Sequence, residues 1–253
     1  MDTFISQFFD WDQIKAVLPD LLTYGLLNTL ILAGASFLLG FVLAMFLAVM
    51  GLSNRWWVRL PSRIFTDVFR GLPAILTILL LGQGLAPIGM KLFGPSPYPL
   101  AIVALGLISA AYTGEILRSG IQSVEKGQIE GARALGLSHG QALRRVIIPQ
   151  GLRRVLPALV NQFIANIKDS ALVYFLGLVA TEREIFRIGQ DAAVTNANLS
   201  PLVAAGIAYL IMTIPLTHLI NHLDKRLREG RRNPGAPDVE EALDSVVTAG
   251  ERG

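Results

Sequence analysis

Five long apolar segments constrain this chain more than any other feature of its sequence. A helix needs about 20 largely apolar residues to cross the hydrocarbon core of a bilayer, and each segment is long enough to supply them. Charged residues make up 16% of the chain, against about 25% in typical soluble domains. The sequence therefore predicts an all-α polytopic membrane protein with about five transmembrane helices. The segments cover approximately residues 21–52, 61–93, 99–120, 156–180 and 201–223.

Lysine and arginine concentrate in alternate connections between these segments, which indicates the orientation of the chain. Short loops rich in positive charge stay on the cytoplasmic side of a membrane. The second and fourth loops hold few or balanced positive charges. The pattern predicts an N-terminus outside and a C-terminus in the cytoplasm. The basic residues of the other connections are Arg55, Arg59 and Arg63; Arg118, Lys126, Arg133, Arg144, Arg145, Arg153 and Arg154; and Lys225, Arg226, Arg228, Arg231 and Arg232.

The two ends of the chain differ from its apolar middle. Residues 1–20 carry Asp2, Asp10 and Asp12 before the first lysine, the wrong charge for the start of a cleavable signal peptide. Their aromatic residues fall at helical spacing, which predicts a short segment lying in the membrane interface. Residues 229–253 are polar, rich in Gly and Pro and free of aromatics, so they are predicted to form a disordered cytoplasmic tail. The predicted transmembrane domain is residues 21–228.

Several kinds of chemistry are excluded or disfavoured by missing residues. The chain has no cysteine, which excludes disulfides and thiolate sites. It has no G-x-x-x-x-G-K-[ST] motif, so no P-loop is present to bind ATP. His218 and His222 are four residues apart, but no glutamate follows His218 and the third histidine, His139, belongs to a different loop. We therefore predict no metal site, no bound cofactor and no catalytic residue.

A charged stretch at about residues 125–150 separates the third apolar segment from the fourth. Ile129, Ala132 and Leu135 mark one face of a first short helix. Gly136 can end that helix because glycine tolerates a positive φ. A helical hairpin is therefore predicted, with its turn at the glycine.

The second helix of the hairpin has its own start and stop signals. Ser138 and Gln141 have the spacing of a capping box, which predicts that the helix begins there. Pro149 is expected to end it. Its apolar side is predicted to hold Leu143, Val146 and Ile147, with Arg144 and Arg145 pointing away.

Three interpretations of this hairpin are open on the residues alone. It is an amphipathic loop on the membrane surface, a DNA-reading helix-turn-helix, or a docking element for a cytoplasmic partner. Apolar segments on both sides leave little freedom to reach a major groove, which disfavours DNA. Gly136 would permit a partner to approach the backbone closely.

The hairpin also resembles the "EAA" loop of ABC-importer permeases, the coupling helix that fits a cleft on the ATP-hydrolysing subunit. Neighbouring stretches narrow the match: "VFRGLP" (68–73), "VIIPQGLRRVLPALVN" (146–161) and "IKDSAL" (167–172) resemble the polar amino acid branch, which imports histidine, arginine, glutamine and glutamate. The resemblance covers about residues 20–228. The residues that fit the pattern E-x-A-x₃-G-x₉-[IV]-x-[LI]-P are Glu130, Ala132, Gly136, Val146, Ile148 and Pro149.

The resemblance implies the membrane permease subunit of an ATP-driven importer, in a bacterial inner (plasma) membrane. It implies three protein partners: an ABC ATPase that uses ATP and Mg²⁺, a second identical or homologous permease, and an extracytoplasmic solute-binding protein. It also implies contact with an amino acid and with membrane lipid, and none with nucleic acid. Departures such as "KDSAL" for "KDTSL" put the identity of the solute in doubt. The residues implied in coupling are Glu130, Ala132, Ala134, Leu135, Gly136, Leu137 and Ser138.

Polar and ionisable residues inside the apolar segments are candidates for a solute pathway, because such residues are costly within a membrane. Arg70 lies at the "RGLP" break, and broken helices often mark binding sites. Its guanidinium suits a carboxylate, and Asp169 or Glu115 would accept an amine. The alternative is that Glu115 pairs with Arg118, and Asp67 with Arg70. The full set of candidates is Arg70, Glu115, Gln162, Asn166, Lys168, Asp169 and Ser170.

Two other functional classes compete with this interpretation. A gradient-driven transporter or channel would work without an ATPase, but it often shows inverted repeats, which the sequence does not display, and it has no evident need for the hairpin. A membrane-bound DNA-binding regulator would need salt-sensitive binding to DNA.

Overall fold

The computed structural model describes residues 2–229, and this part of the chain is helical without a β-strand. It confirms the all-α class. The predicted disordered tail, 229–253, lies outside the described residues apart from Glu229. The helices are α1 (Asp2–Phe8), α2 (Trp11–Asp20), α3 (Leu26–Gly51), α4 (Trp56–Gly71), α5 (Ala74–Gly84), α6 (Ala86–Phe93), α7 (Tyr98–Gln122), α8 (Lys126–Ala134), α9 (His139–Ala142), α10 (Ile148–Asp169), α11 (Ile185–Asn196) and α12 (Ser200–Glu229).

Two π-helical turns and two 3₁₀ segments join some of these helices. The π turn Leu21–Gly25 connects α2 to α3, and Leu143–Ile147 connects α9 to α10. The 3₁₀ segment Ser170–Leu176 continues from the end of α10, and Ala180–Glu182 precedes α11. At the place of the fourth apolar segment, predicted at about residues 156–180, the α-helix covers residues 148–169 and a 3₁₀ segment follows it.

Three stretches of the described chain are each long and apolar enough to cross a membrane. They are Ile5–Gly51, Tyr98–Gln122 and Ser200–His222. The pair α4 and α5 makes a fourth candidate, bent by 105° at the predicted "RGLP" break. α10, at the place of the predicted fourth span, is less apolar because it carries Lys168 and Asp169 in its last turn.

Close packing of α3 against α7 forms the centre of the fold. Gly40 lies so near α7 that a Cβ atom there would be 2.8 Å from the carbonyl oxygen of Gly106. Gly151 of α10 is as close to Gly120 of α7, again with 2.8 Å from an added Cβ to the carbonyl oxygen. Small residues let backbones approach in this way, which compensates for the absence of a hydrophobic driving force between helices in lipid.

Apolar side chains fill the remaining space between the helices and also cover much of the outer surface. Leu32, Ile78 and Leu105 belong to a buried cluster between α3, α5 and α7. Large apolar side chains such as Leu38, Phe46 and Ile211 are exposed. An apolar surface of this kind suits contact with lipid or with another membrane helix.

Candidate coupling hairpin and polar membrane residues

The turn of the hairpin is a Schellman motif at the end of α8. The N–H of Leu137 donates to the carbonyl of Ala132 at 3.2 Å, and the N–H of Gly136 donates to that of Arg133 at 2.9 Å. Gly136 has φ +84°, the left-handed conformation that this motif requires. The predicted role of Gly136 in ending the helix is confirmed.

The start of the second helix is also as predicted. The backbone N–H of Gln141 donates to the Ser138 hydroxyl at 3.3 Å, and the N–H of Ser138 donates to the Gln141 side chain at 2.9 Å. This reciprocal pair is a capping box. It fixes the angle between the turn and α9.

Pro149 does not end the second helix, contrary to the prediction. The chain continues from α9 through the π turn into α10, and the N–H of Ile148 donates to the carbonyl of Leu143, five residues back. Pro149 falls in the first turn of α10, where a missing N–H is tolerated. The π turn shifts the hydrogen-bonding pattern where an α-helix would meet the proline ring. The hairpin is therefore continuous with the long helix α10.

This continuity removes the free recognition helix that a DNA-binding motif needs. A helix-turn-helix places its second helix in the major groove. Here α9 is only four residues long and leads directly into α10. The geometry suits a rigid element that transmits motion to α10.

One face of the hairpin is packed and the other is open. Ala132, Ala142 and Ile147 are buried, whereas Arg144 and Arg145 are exposed as predicted. Leu135, which was predicted to share a helix face with Ala132 and to belong to the coupling turn, is the C-cap of α8 and is 86% exposed. Beside the turn lies an open cleft of about 650 Å³, lined by Ser138, Gly140, Gln141, Arg144 and Arg145.

The predicted coupling residues thus fall into two groups. Exposed residues are available to a partner, whereas Ala132 is buried and Leu137 is half-buried, so these two support the hairpin from within. Side chains at its base join the neighbouring helices: Gln150 of α10 donates to Gln128 of α8 at 3.2 Å, and Arg154 of α10 donates to the carbonyl of Ser123 at the end of α7. The exposed group is Glu130, Ala134, Leu135, Gly136 and Ser138.

Arg70 and Glu115 lie in one cavity of about 260 Å³ between α4 and α7. Glu115 accepts two hydrogen bonds from Arg118, at 3.0 and 2.6 Å, so the predicted alternative of pairing within α7 is confirmed. Arg70 does not pair with Asp67; its guanidinium lies over the ring of Tyr112, 5.3 Å from the centroid. Sequence reasoning missed Tyr112, because no local signal links it to α4. The other lining residues are Gly51, Ser62, Arg63, Thr66, Asp67 and Arg118.

The remaining pathway candidates lie on the last three turns of α10 and just beyond it. Gln162 donates to Asn166 at 3.2 Å, and the side-chain nitrogen of Asn166 is buried without a hydrogen-bond partner. Ser170 is buried and donates to the carbonyl of Ile167. Lys168 is exposed and Asp169 is half-buried. None of these residues lines the cavity that holds Arg70 and Glu115.

Asn161 was not among the predicted residues, and together with Gln162, Lys168 and Asp169 it forms one partly exposed side of the helix, here named the polar face of α10. It is exposed and lies seven residues before Lys168, so both fall on one side of α10. The helical spacing of the two residues was a signal that sequence reasoning could have used. A polar face on a membrane helix requires a cavity or another protein surface beside it.

The apolar helices, the polar face of α10 and the hairpin joined to it are features of a membrane transport subunit. The comparisons with known proteins agree. The chain belongs to the family described as "Binding-protein-dependent transport system inner membrane component", whose model matches residues 16–229. It is thus the permease component of an ABC importer, whose ATPase is a separate subunit, as the resemblance implied.

Individual relatives cover nearly the whole chain. It is 33% identical to the arginine transport system permease protein ArtQ of Bacillus subtilis (strain 168), over 81% of this chain and 91% of that protein. It is 32% identical to the glutamate/aspartate import permease protein GltK of Escherichia coli O6:H1, over 86% of this chain and 98% of that protein. A solved amino acid ABC transporter "with histidines" has a chain that is 32% identical, with a TM-score of 0.72 over 83% of this chain and 94% of that one.

Proposed function

We propose that this chain forms, with a second identical or homologous permease, the pathway of an ABC importer for polar amino acids in a bacterial inner membrane. A solute-binding protein delivers the amino acid from outside, and the partner ATPase binds ATP and Mg²⁺. The observation that carries the proposal is the hairpin, a rigid element that exposes Leu135 at its turn and is continuous with α10. The names of the relatives, which include arginine and glutamate/aspartate permeases, support a polar amino acid as the solute.

The proposed arrangement has five spans, with the N-terminus outside and the C-terminus in the cytoplasm. The helix order supports it: Gly40 of α3 meets Gly106 of α7, and Ala44, one turn further along α3, lies near Gly114 of α7. The two helices are therefore parallel, as expected for two spans that both run from outside to inside. The helices α4 and α5, which are bent by 105° relative to each other, would form the second span and lead the chain back from the end of α3 towards the start of α7.

The hairpin is the proposed contact with the ATPase. Closure of the ATPase subunits on ATP would push the turn 134–138, and the continuous π turn would pass that movement to α10 as a rigid body. The arginines Arg144 and Arg145, exposed beside the open cleft, would meet carboxylates of the partner. This places the mechanical input and the polar face on one helical unit.

The polar face of α10 is the proposed lining of the pathway. Lys168 and Asp169 offer opposite charges for the carboxylate and the ammonium group of an amino acid. A second permease facing α10 would shield these groups from lipid, whose contact with charge is costly. Arg70 lies over the ring of Tyr112, and the neighbouring Glu115 is paired with Arg118. Arg70 is therefore proposed as a second contact for the carboxylate of the solute, from the cavity between α4 and α7.

The experiment that tests the pathway is Asp169→Asn in the assembled importer. The variant should abolish uptake of radiolabelled amino acid while copurification of the ATPase stays intact. Asp12→Asn, which changes an exposed aspartate of α2 in the same way, is the matched control and should transport normally. Unchanged uptake by Asp169→Asn would remove α10 from the proposed pathway.

A further inference from the structure

Glu184 is a buried carboxylate that the transport mechanism described so far does not use. Its exposed fraction is 0%, and it is the N-cap of α11. Its two oxygens accept hydrogen bonds from the backbone N–H groups of Phe186 and Arg187, each at 2.6 Å. The hydroxyl of Tyr209 in α12 donates to it at 3.0 Å. Buried charges of this kind are retained where their hydrogen bonds are complete.

The charge of this carboxylate is balanced by dipoles more than by a neighbouring cation. The guanidinium of Arg187 is engaged elsewhere: it donates to Asp191 at 2.9 Å and lies over the ring of Tyr174, 5.2 Å from the centroid. The position of the carboxylate therefore depends on the N-terminus of α11 and on the hydroxyl of Tyr209.

Four parts of the fold meet at this point. The N–H of Ile185, next to Glu184, donates to the Thr29 hydroxyl of α3 at 3.2 Å. The Ser170 hydroxyl is buried directly after Asp169, and its single proton is shared between two acceptors, the hydroxyl oxygen of Tyr209 and the carbonyl oxygen of Ile167, the latter at 2.7 Å. A chain of hydrogen bonds thus joins the start of α11 and the middle of α12 to the end of the polar face of α10.

We propose that Glu184 and Tyr209 are positioning residues for transport, forming a clasp that holds the Lys168–Asp169 end of α10 against α12. A positioning residue must keep the groups that contact the solute, here Lys168 and Asp169, within a narrow range of positions. Complete hydrogen bonds at a buried site provide that rigidity. The clasp rests on the proposed function, because it assigns a purpose to the position of the polar face. It acts at the opposite end of α10 from the hairpin.

The test compares Tyr209→Phe with Tyr98→Phe in the reconstituted importer. Each substitution removes one hydroxyl that donates a 3.0 Å hydrogen bond, to Glu184 and to the carbonyl of Asn28 respectively. Tyr209→Phe should lower the amount of amino acid taken up per ATP hydrolysed by about tenfold, the factor expected for losing a hydrogen bond to a charged group. Tyr98→Phe should leave that ratio unchanged. The two substitutions should change the midpoint of thermal unfolding by similar amounts. Equal ratios in the two variants would overturn the clasp.

A second measurement does not depend on uptake. Because the chain has no cysteine, Lys168→Cys and Ile211→Cys allow spin labels to be placed on α10 and α12 alone. The distance distribution between them should broaden when Tyr209→Phe is added and stay narrow with Tyr98→Phe. An unchanged distribution would contradict the clasp, whereas an absence of ATP-dependent uptake by the wild-type importer would contradict the proposed function and leave this measurement intact.

Discussion

Gly136 holds the turn of the hairpin in a conformation that other residues adopt only at a cost. Its φ of +84° lies in the left-handed region, where a Cβ atom crowds the following carbonyl oxygen. A Cβ at this position would meet no other group within 4 Å. Within the chain, the requirement for glycine is therefore one of backbone conformation and not of space.

We predict that Gly136→Ala distorts the turn and weakens coupling. The strain of a left-handed alanine is about 1–2 kcal/mol, and relief of that strain would move Leu135. Uptake per ATP hydrolysed should fall, and Gly136→Trp should lower it further by adding bulk to the docking surface. Gly131→Ala is the control, because Gly131 lies within α8 without a positive φ and with open space around it. Normal coupling in Gly136→Trp would show that the turn does not dock.

Burial raises the pKa of Glu184 from its ordinary value of 4.5 to about 7, against the hydrogen bonds that favour the charged form. The folded state then binds its proton more tightly than the unfolded state. The contribution of this group to stability is therefore greatest below pH 4.5, and it declines as the pH rises from 4.5 to 7. Arg187, through its charge, opposes the rise in pKa.

The corresponding prediction is that Glu184→Gln flattens the dependence of thermal stability on pH. Between pH 5 and pH 8, the thermal midpoint of the wild-type permease in detergent should fall more than that of the variant. Glu182→Gln, which changes a neighbouring carboxyl bound to Ser96, should retain the wild-type dependence. Equal slopes for wild type and Glu184→Gln would contradict the assigned titration.

At the scale of helices, the contact between α3 and α7 depends on small residues at particular positions. Gly40 faces α7, where an added Cβ would be 2.7 Å from the Cβ of Ser109. Gly34, on the same helix, has no atom within 4 Å of such a Cβ. Gly34 and Gly40 therefore differ in packing although both lie within the helix α3.

We predict opposite effects for alanine at these two positions. Gly40→Ala should destabilise the permease by about 1–3 kcal/mol, because the backbones must separate. Gly34→Ala should leave stability unchanged or raise it by up to about 1 kcal/mol, since alanine favours the helix. Thermal unfolding of both variants in detergent measures the difference. A similar loss in both would place the close approach elsewhere.

The sequence predicted those helix boundaries that have local causes. The "RGLP" break, the positive φ of Gly136 and the capping box of Ser138 each follow from a few neighbouring residues. The prediction that Pro149 ends the second helix was wrong, because a π turn precedes the proline and places it in the first turn of α10. The stacking of Arg70 on Tyr112 was not predictable either, since it depends on how α4 crosses α7.

At the scale of the whole molecule, the described chain combines an apolar exterior with several polar regions. Two of them hold the predicted pathway residues: the cavity between α4 and α7, and the polar face of α10. Arg70, Glu115 and Asp169 were predicted from the sequence to share one pathway. Within one copy, however, Asp169 does not line the cavity that Arg70 and Glu115 line. Sequence spacing could not reveal this separation, which depends on the crossing of helices. A second permease facing the first would bring further polar surface beside them.

Uptake by the reconstituted importer tests the central claim most directly. The permease is placed in lipid vesicles with an ATPase subunit and a solute-binding protein that copurify with it, and entry of radiolabelled polar amino acids is measured with and without ATP. The account predicts uptake that requires ATP, the ATPase subunit and an intact hairpin. Uptake of the same size by vesicles containing the permease alone, driven by an ion gradient, would contradict it.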